Sequence, residues 1–189
     1  MMIGICGGIG SGKSVVSRIL RLRGEAVYDC DLNAKRIMDT SAEVIHALHA
    51  RYGDSVCPAG GPICRPALSE RVFSDEKERL WLNNLVHHLV RDDVERWHIR
   101  QQSAGKPRAF VEAAILASSG LAALCSEIWL VSAPEDVRLS RVSVRDGHNP
   151  DHIRDRIRAQ DREEDLLREC GVPLRIIDNS GSMPLMPQI

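Results

Sequence analysis

Apolar and polar residues follow two different spacings along this chain, and the changes of spacing mark its elements. Residues 2–6, Met-Ile-Gly-Ile-Cys, are a short continuous apolar run, as expected of a strand buried on both faces. A glycine-rich turn follows. Val15, Val16, Ile19, Leu20 and Leu22 then recur on one helical face, with Gly24 where a helix stop belongs. Ala26-Val27-Tyr28 reads as a second strand ending in Asp29-Cys30-Asp31. Strand, glycine turn, helix and strand make a βαβ unit, which implies a parallel sheet covered by helices.

Residues 32–52 carry a helical pattern in two pieces, broken near Asp39-Thr40-Ser41. Residues 53–66 are rich in Gly, Ala and Pro and read as loop and tight turns. Between about 75 and 102, Leu82, Leu85, Val86, Leu89, Val94 and Trp97 give a long helix one apolar stripe. Ala109-Phe110-Val111, Ile128-Trp129-Leu130-Val131 and Arg175-Ile176-Ile177 read as three further strands. The stretch 138–158 stands apart, with arginine at 138, 141, 145, 154, 156 and 158 against acids at 146, 151 and 155. Its helical part after Asn149-Pro150 has only Ile153 and Ile157 as strong apolar anchors, so it is expected to be peripheral and mobile. An arginine-rich flap of this kind suggests an anion beneath it.

Composition narrows the class. The 189 residues suit one domain, at roughly 100–200 residues per domain. Apolar residues make up 43% and aromatics 4%, so a packed core is expected and it is mostly aliphatic. Twenty-five basic and 26 acidic residues give a net charge of −1, which argues against nucleic-acid binding by bulk charge. No apolar run approaches the roughly 18 residues of a membrane helix. The start of the chain lacks the charged and apolar regions of a signal peptide, so a cytoplasmic location is the default expectation. The cysteines at 6, 30, 57, 64, 125 and 170 include no C-x-x-C pair and read as small apolar residues or idle thiols.

The chemistry is concentrated at the first turn. Gly7-Gly8-Ile9-Gly10-Ser11-Gly12-Lys13-Ser14 matches the phosphate-loop pattern G-x-x-x-x-G-K-[ST] in full. The glycines let successive N–H groups point inward at phosphate oxygens, and the helix behind adds its positive end. Lys13 can reach the β- and γ-phosphates, and the Ser14 hydroxyl can bind Mg²⁺. The Asn-Lys-x-Asp guanine motif is absent, which favours ATP, and the short chain with its arginine flap favours a small-molecule kinase. An aspartate at the end of the second strand could accept a substrate proton or cap the next helix, and sequence alone leaves both open. Glu112, after the third apolar strand, is either an acid ordering the surroundings of Mg²⁺ or a structural carboxylate. The pairs His46/His49 and His148/His152 read as solvated helix faces rather than metal sites, and His87-His88 as a bland helical feature.

Taken in order, several segments resemble the dephospho-coenzyme A kinase family. They are the phosphate loop, Val27-Tyr28-Asp29-Cys30-Asp31, Val72-Phe73-Ser74-Asp75, the His87 helix, Glu112-Ala113-Ala114-Ile115-Leu116, Arg141-x3-Arg145-Asp146-Gly147, Arg156-x3-Gln160 and Ile177-Asp178-Asn179-Ser180-Gly181. The resemblance covers about residues 2–182. It implies an α/β P-loop kinase in one domain, 1–189. That domain has a parallel five-stranded sheet flanked by helices, a helical substrate-binding region at about 32–105 and an arginine-rich lid at about 141–165. It implies transfer of phosphate from ATP, with Mg²⁺, to the ribose 3′-hydroxyl of dephospho-coenzyme A. By the same resemblance Asp31 is the general base, with Lys13, Arg141 and Arg145 also catalytic. ATP contacts fall to Gly8, Gly10, Ser11, Gly12, Lys13, Ser14, Val15 and Asn179, the last near the adenine. Asp31, Arg65 and His87 are substrate contacts, and Ser14 is the metal ligand. The chain departs from the family in having His88 after His87 instead of Pro, Cys64 before Arg65 instead of Asp, and Ser118 where an acid is usual. It also stops at Ile189, where a final helix is expected, which suggests a less covered apolar surface. The competing readings are another small P-loop kinase and a degenerate ATP-binding protein.

Overall fold

The computed structural model describes residues 1–59, 61–146 and 150–189, without the side chains at 73, 146, 150–153, 155, 156, 158, 159 and 161. Five strands form one sheet: β1 (Met2–Cys6), β2 (Ala26–Asp29), β3 (Ala109–Glu112), β4 (Glu127–Ser132) and β5 (Leu174–Asp178). Their order is β2-β3-β1-β4-β5, and every pairing is parallel. The expected parallel five-stranded sheet is therefore present. β1 lies at its centre, and all five of its residues are buried, as its unbroken apolar run requires. The chain leaves β1 toward β2 on one side and later crosses to β4 on the other. The carboxyl end of β1 is thus the switch point where open α/β sheets bind ligands.

The chain divides into two compact units, 1–29 with 95–189, and 30–94. The first holds the sheet, α1 (Lys13–Leu22), α6 (Glu135–Asp146) and α7 (Pro150–Glu169). Its core packs Ile3, Ile5, Val16, Leu20, Phe110, Trp129, Val131 and Ile177 together. Phe110 and Trp129 meet edge to face, 5.3 Å between centroids, the pair geometry that aromatic quadrupoles favour. α1 stops at Gly24, where Glu25 N–H returns to the Leu20 carbonyl. The end of the chain also covers apolar surface, since Leu185 and Ile189 pack on this core and Gln188 bonds both the N–H and the C=O of Asp178.

The second unit comprises α2 (Cys30–Thr40), α3 (Ala42–Tyr52), α4 (Arg65–Ser74) and the first part of α5 (Glu76–Ser103). The break expected near Asp39-Thr40-Ser41 is real: Ser41 caps α3, its hydroxyl accepting from Val44 N–H. Val44, Leu48, Val56, Cys57 and Leu68 form a separate small core, onto which Leu82, Leu85 and Leu89 of the expected α5 stripe pack. The α4 helix is not apparent from periodicity, because Leu68 is its only fully buried apolar residue among those described. Its start is a proline signal instead, with Pro66 in the first turn. No helix among the described residues is long and apolar enough to cross a membrane.

α7 corrects one expectation. It is not peripheral along its length: Ile157 is buried with Ile9 and Val142, and Leu167 is buried as well. Ile153, Arg156, Arg158 and the His148/His152 pair lie outside the described residues or side chains. Truncating Phe110, which has no exposed surface, tests the core assignment. Phe110→Ala is expected to lower unfolding free energy by about 3–5 kcal/mol in urea titrations, whereas a loss under about 1 kcal/mol would contradict the assignment.

Candidate active site

The turn between β1 and α1 carries the phosphate-loop string, a pattern that offers backbone N–H groups to an anion and turns carbonyls the other way. Buried or half-buried carbonyls need partners, and each one in the turn has a donor. Lys13 Nζ donates to Gly7 O at 2.5 Å. Ser11 N–H donates to Gly8 O at 3.1 Å, and Val15 N–H to Gly12 O at 2.9 Å. The other three carbonyls are held from elsewhere in the same unit. Arg138 Nε donates to Ile9 O at 3.0 Å, Arg141 Nη1 to Gly10 O at 3.4 Å, and Asn179 Nδ2 to Ser11 O at 2.7 Å. Arg141 Nη2 also donates to Asn179 O at 2.8 Å, so α6, the loop after β5 and the turn form one network.

Two glycines are dictated by this packing. Gly12, with φ +99°, precedes α1, and a Cβ there would collide with Asn179 Nδ2. Gly10, with φ +79°, would set a Cβ against the Arg138 carbonyl, which is backbone and has no room to swing away. The buried Ser11 hydroxyl and Arg138 Nη2 have no hydrogen-bond partner among the described residues. A preformed cradle of N–H groups at a helix N-terminus, backed by Lys13, suits a polyphosphate.

Sequence-expected residues fall in both units. Gly8, Gly10, Ser11, Gly12, Lys13, Ser14, Val15, Arg141, Arg145 and Asn179 belong to the first. Arg145 is in the last turn of α6, exposed, and Ser14 is exposed on the first turn of α1. Asn179 is attached to the phosphate loop through the Ser11 carbonyl. Asp31, Arg65 and His87 belong to the second unit. Asp31 is exposed in the first turn of α2, inside the helix rather than at the residue before it, so the N-cap position falls to Asp29. Arg65 Nη2 pairs with Asp39 Oδ1 at 2.7 Å and lies 3.5 Å from Lys35 O. Lys35 and Asp39 follow Asp31 at four-residue steps, so Arg65 docks on the α2 face that carries Asp31. The Arg65–Asp39 pair is exposed, where such pairs contribute little to stability. His87 is half-buried on α5, and burial lowers its pKa and favours neutral imidazole.

Glu112 ends β3 beside Asp29, its register partner at the end of β2. Burial pushes its carboxyl above the usual range; the Asp29 charge adds to the rise and Lys13 opposes it. Two acids at the strand ends favour a cation nearby. Among the described residues no group of three or more His, Cys, Asp or Glu gathers to hold a metal. Periodicity did not single out Arg138, Gln160 or Glu163, which also meet the phosphate loop or the loop after β3.

The dephospho-CoA kinase family model matches residues 1–184. This chain belongs to the dephospho-CoA kinase family. A dephospho-CoA kinase of Porphyromonas gingivalis is 37% identical over 99% of this chain and 90% of its own length. That of a Synechococcus strain is 38% identical over 95% and 84%. A crystal structure from Thermus thermophilus is 32% identical over 96% of this chain and 90% of that one, with a TM-score of 0.78. Dephospho-CoA kinase from Campylobacter jejuni, 22% identical over 96% and 89% with a TM-score of 0.69, shares the fold.

Glu112 generates a pH prediction. A carboxyl raised in the folded state binds protons that the unfolded state releases, so stability falls as pH rises through that interval. Glu112→Gln removes this cost. Its melting temperature is expected to exceed that of the wild type at pH 7 and to lose the advantage as pH falls below the ordinary carboxylate value of 4.5. An advantage largest in acid would refute the assignment.

Proposed function

We propose that the chain transfers the γ-phosphoryl group of ATP to the ribose 3′-hydroxyl of dephospho-coenzyme A, the activity its family membership assigns, through the residues set out above. The observation that carries this reading is the phosphate loop whose outward carbonyls are all bonded, so that its shape precedes the ligand. Gly8, Gly10, Ser11, Gly12, Ser14 and Val15 hold the nucleotide, and Lys13 leaves the Gly7 carbonyl for the phosphates. Arg141 and Arg145, on one helix beside the loop, lend positive charge to a reaction that runs mainly on positioning and electrostatics. Ser14 would hold Mg²⁺, which would supply charge neutralisation at the phosphates. The 30–94 unit supplies acceptor contacts from Arg65 and His87. A cytoplasmic setting, with ATP and dephospho-coenzyme A as substrates and neither nucleic acid nor membrane as partner, belongs to the same reading.

Asp31 takes the proton of the 3′-hydroxyl. Its exposure and its place inside the first helical turn, with Asp29 at the cap position, support that role over capping. Among dephospho-coenzyme A, nucleoside monophosphates and small alcohols, only the first is expected to give ATP-dependent ADP release in a coupled assay. Equal turnover of a nucleoside monophosphate would favour another small P-loop kinase. No turnover despite ATP binding would favour a degenerate binding protein. Asp31→Asn is expected to lower kcat by roughly 10²- to 10⁴-fold, the usual contribution of a positioned base, with little change in ATP affinity. Asp29→Asn should be much milder. An Asp29 variant as inactive as the Asp31 one would reassign the base.

A further inference from the structure

α7 carries two polar side chains three residues apart, hence on one face, and each reaches a different loop of the first unit. Gln160 Oε1 accepts from the Ile9 N–H, in the middle of the phosphate loop, at 2.6 Å. Glu163 Oε1 accepts from Ala117 N–H at 2.5 Å, with Ser118 N–H at 3.3–3.4 Å from the same carboxylate, in the loop after β3. Glu163 is only 6% exposed. A carboxylate is seldom buried unless donors meet it, and here the donors are backbone. A small opening between these groups is lined by Gly7, Gly8, Arg138, Gln160 and Glu163. Ile157, one turn before Gln160, is buried against Ile9, so apolar packing and hydrogen bonding join α7 to the same loop residue.

We propose that Gln160 and Glu163 are positioning residues for ATP: Gln160 fixes the phosphate loop through the Ile9 N–H, and Glu163 anchors α7 to the loop after β3 so that Gln160 stays in place. Neither touches the acceptor. Occupying the Ile9 N–H with a protein oxygen fixes the orientation of the Gly8–Ile9 peptide, and with it the aim of the neighbouring N–H groups. The phosphates are gripped alike before and during transfer, so a looser loop weakens ground and transition states together. Such a loss appears in KM and spares kcat. The inference rests on ATP binding at this loop, which the family assignment supplies, but one arm of its test needs no turnover.

Gln160→Ala is expected to raise KM for ATP about three- to tenfold, the worth of one neutral hydrogen bond, with kcat at saturating ATP unchanged within about twofold. Glu163→Ala should raise KM for ATP about tenfold in the same pattern, as loss of a charged acceptor from buried donors requires. Glu163→Gln keeps an acceptor for Ala117 N–H and should recover most of the affinity. The independent arm is amide exchange in the nucleotide-free protein by NMR. Glu163→Ala, which does not touch Ile9, is expected to speed exchange of the Ile9 amide by about tenfold or more as α7 loosens. If Glu163→Ala does not fold, Glu163→Gln and Gln160→Ala still decide through their KM and Ile9 exchange. Wild-type Ile9 exchange and wild-type KM for ATP in folded variants, with only the melting temperature lowered, would overturn the proposal. A fall in kcat with KM unchanged would overturn it too.

Discussion

When a turn points its N–H groups inward it must point its carbonyls outward, and those carbonyls then have to be bonded by something other than the turn itself. At residues 7–14 this constraint organises the first unit. α6 supplies Arg138 and Arg141, the loop after β5 supplies Asn179, and Lys13 folds back on Gly7. The parallel order β2-β3-β1-β4-β5 makes this possible, because β4 and β5 lie on one side of β1 and deliver their following segments to the turn. The glycines follow from the same packing: where Arg138 and Asn179 approach the backbone, no Cβ can be accommodated.

Catalysis by such a site depends on what is in place before the ligand arrives. Donors already fixed need no reorganisation at the moment of transfer, which is why oriented dipoles in a protein do more than water can. Arg138 and Arg141 brace the loop from α6 through the Ile9 and Gly10 carbonyls. The strand-end acids work in the opposite sense. Burial beside Asp29 holds the Glu112 carboxyl above its usual range, so the end of β3 carries a cost in stability that the surrounding core offsets.

Much of this is legible in the sequence because it rests on local pattern. The phosphate loop is a fixed string, β1 an unbroken apolar run, and the α2–α3 break a serine cap. The α4 helix is not legible, since one buried residue gives no periodicity and only Pro66 marks its start. The base of α7 is misread for a different reason. Ile157 is its one described apolar anchor in the arginine-rich stretch, but Gln160 and Glu163 secure it by hydrogen bonds to backbone N–H groups, and a polar residue that bonds backbone looks in sequence like a solvated one. Arg138 is hidden likewise among arginines that suggest an anion, although its Nε bonds a carbonyl.

The central claim is that the phosphate loop is held in its binding shape by the protein alone. Nitrogen-15 relaxation dispersion on the amides of Gly8 to Ser14 in the nucleotide-free protein tests it most directly, since it reports exchange between conformers on the microsecond-to-millisecond scale. The account predicts flat profiles at these amides, little changed when a non-hydrolysable ATP analogue is added. Exchange broadening across the loop in the free protein, quenched by the analogue, would show that the ligand rather than the bonded carbonyls sets the shape, and would contradict it.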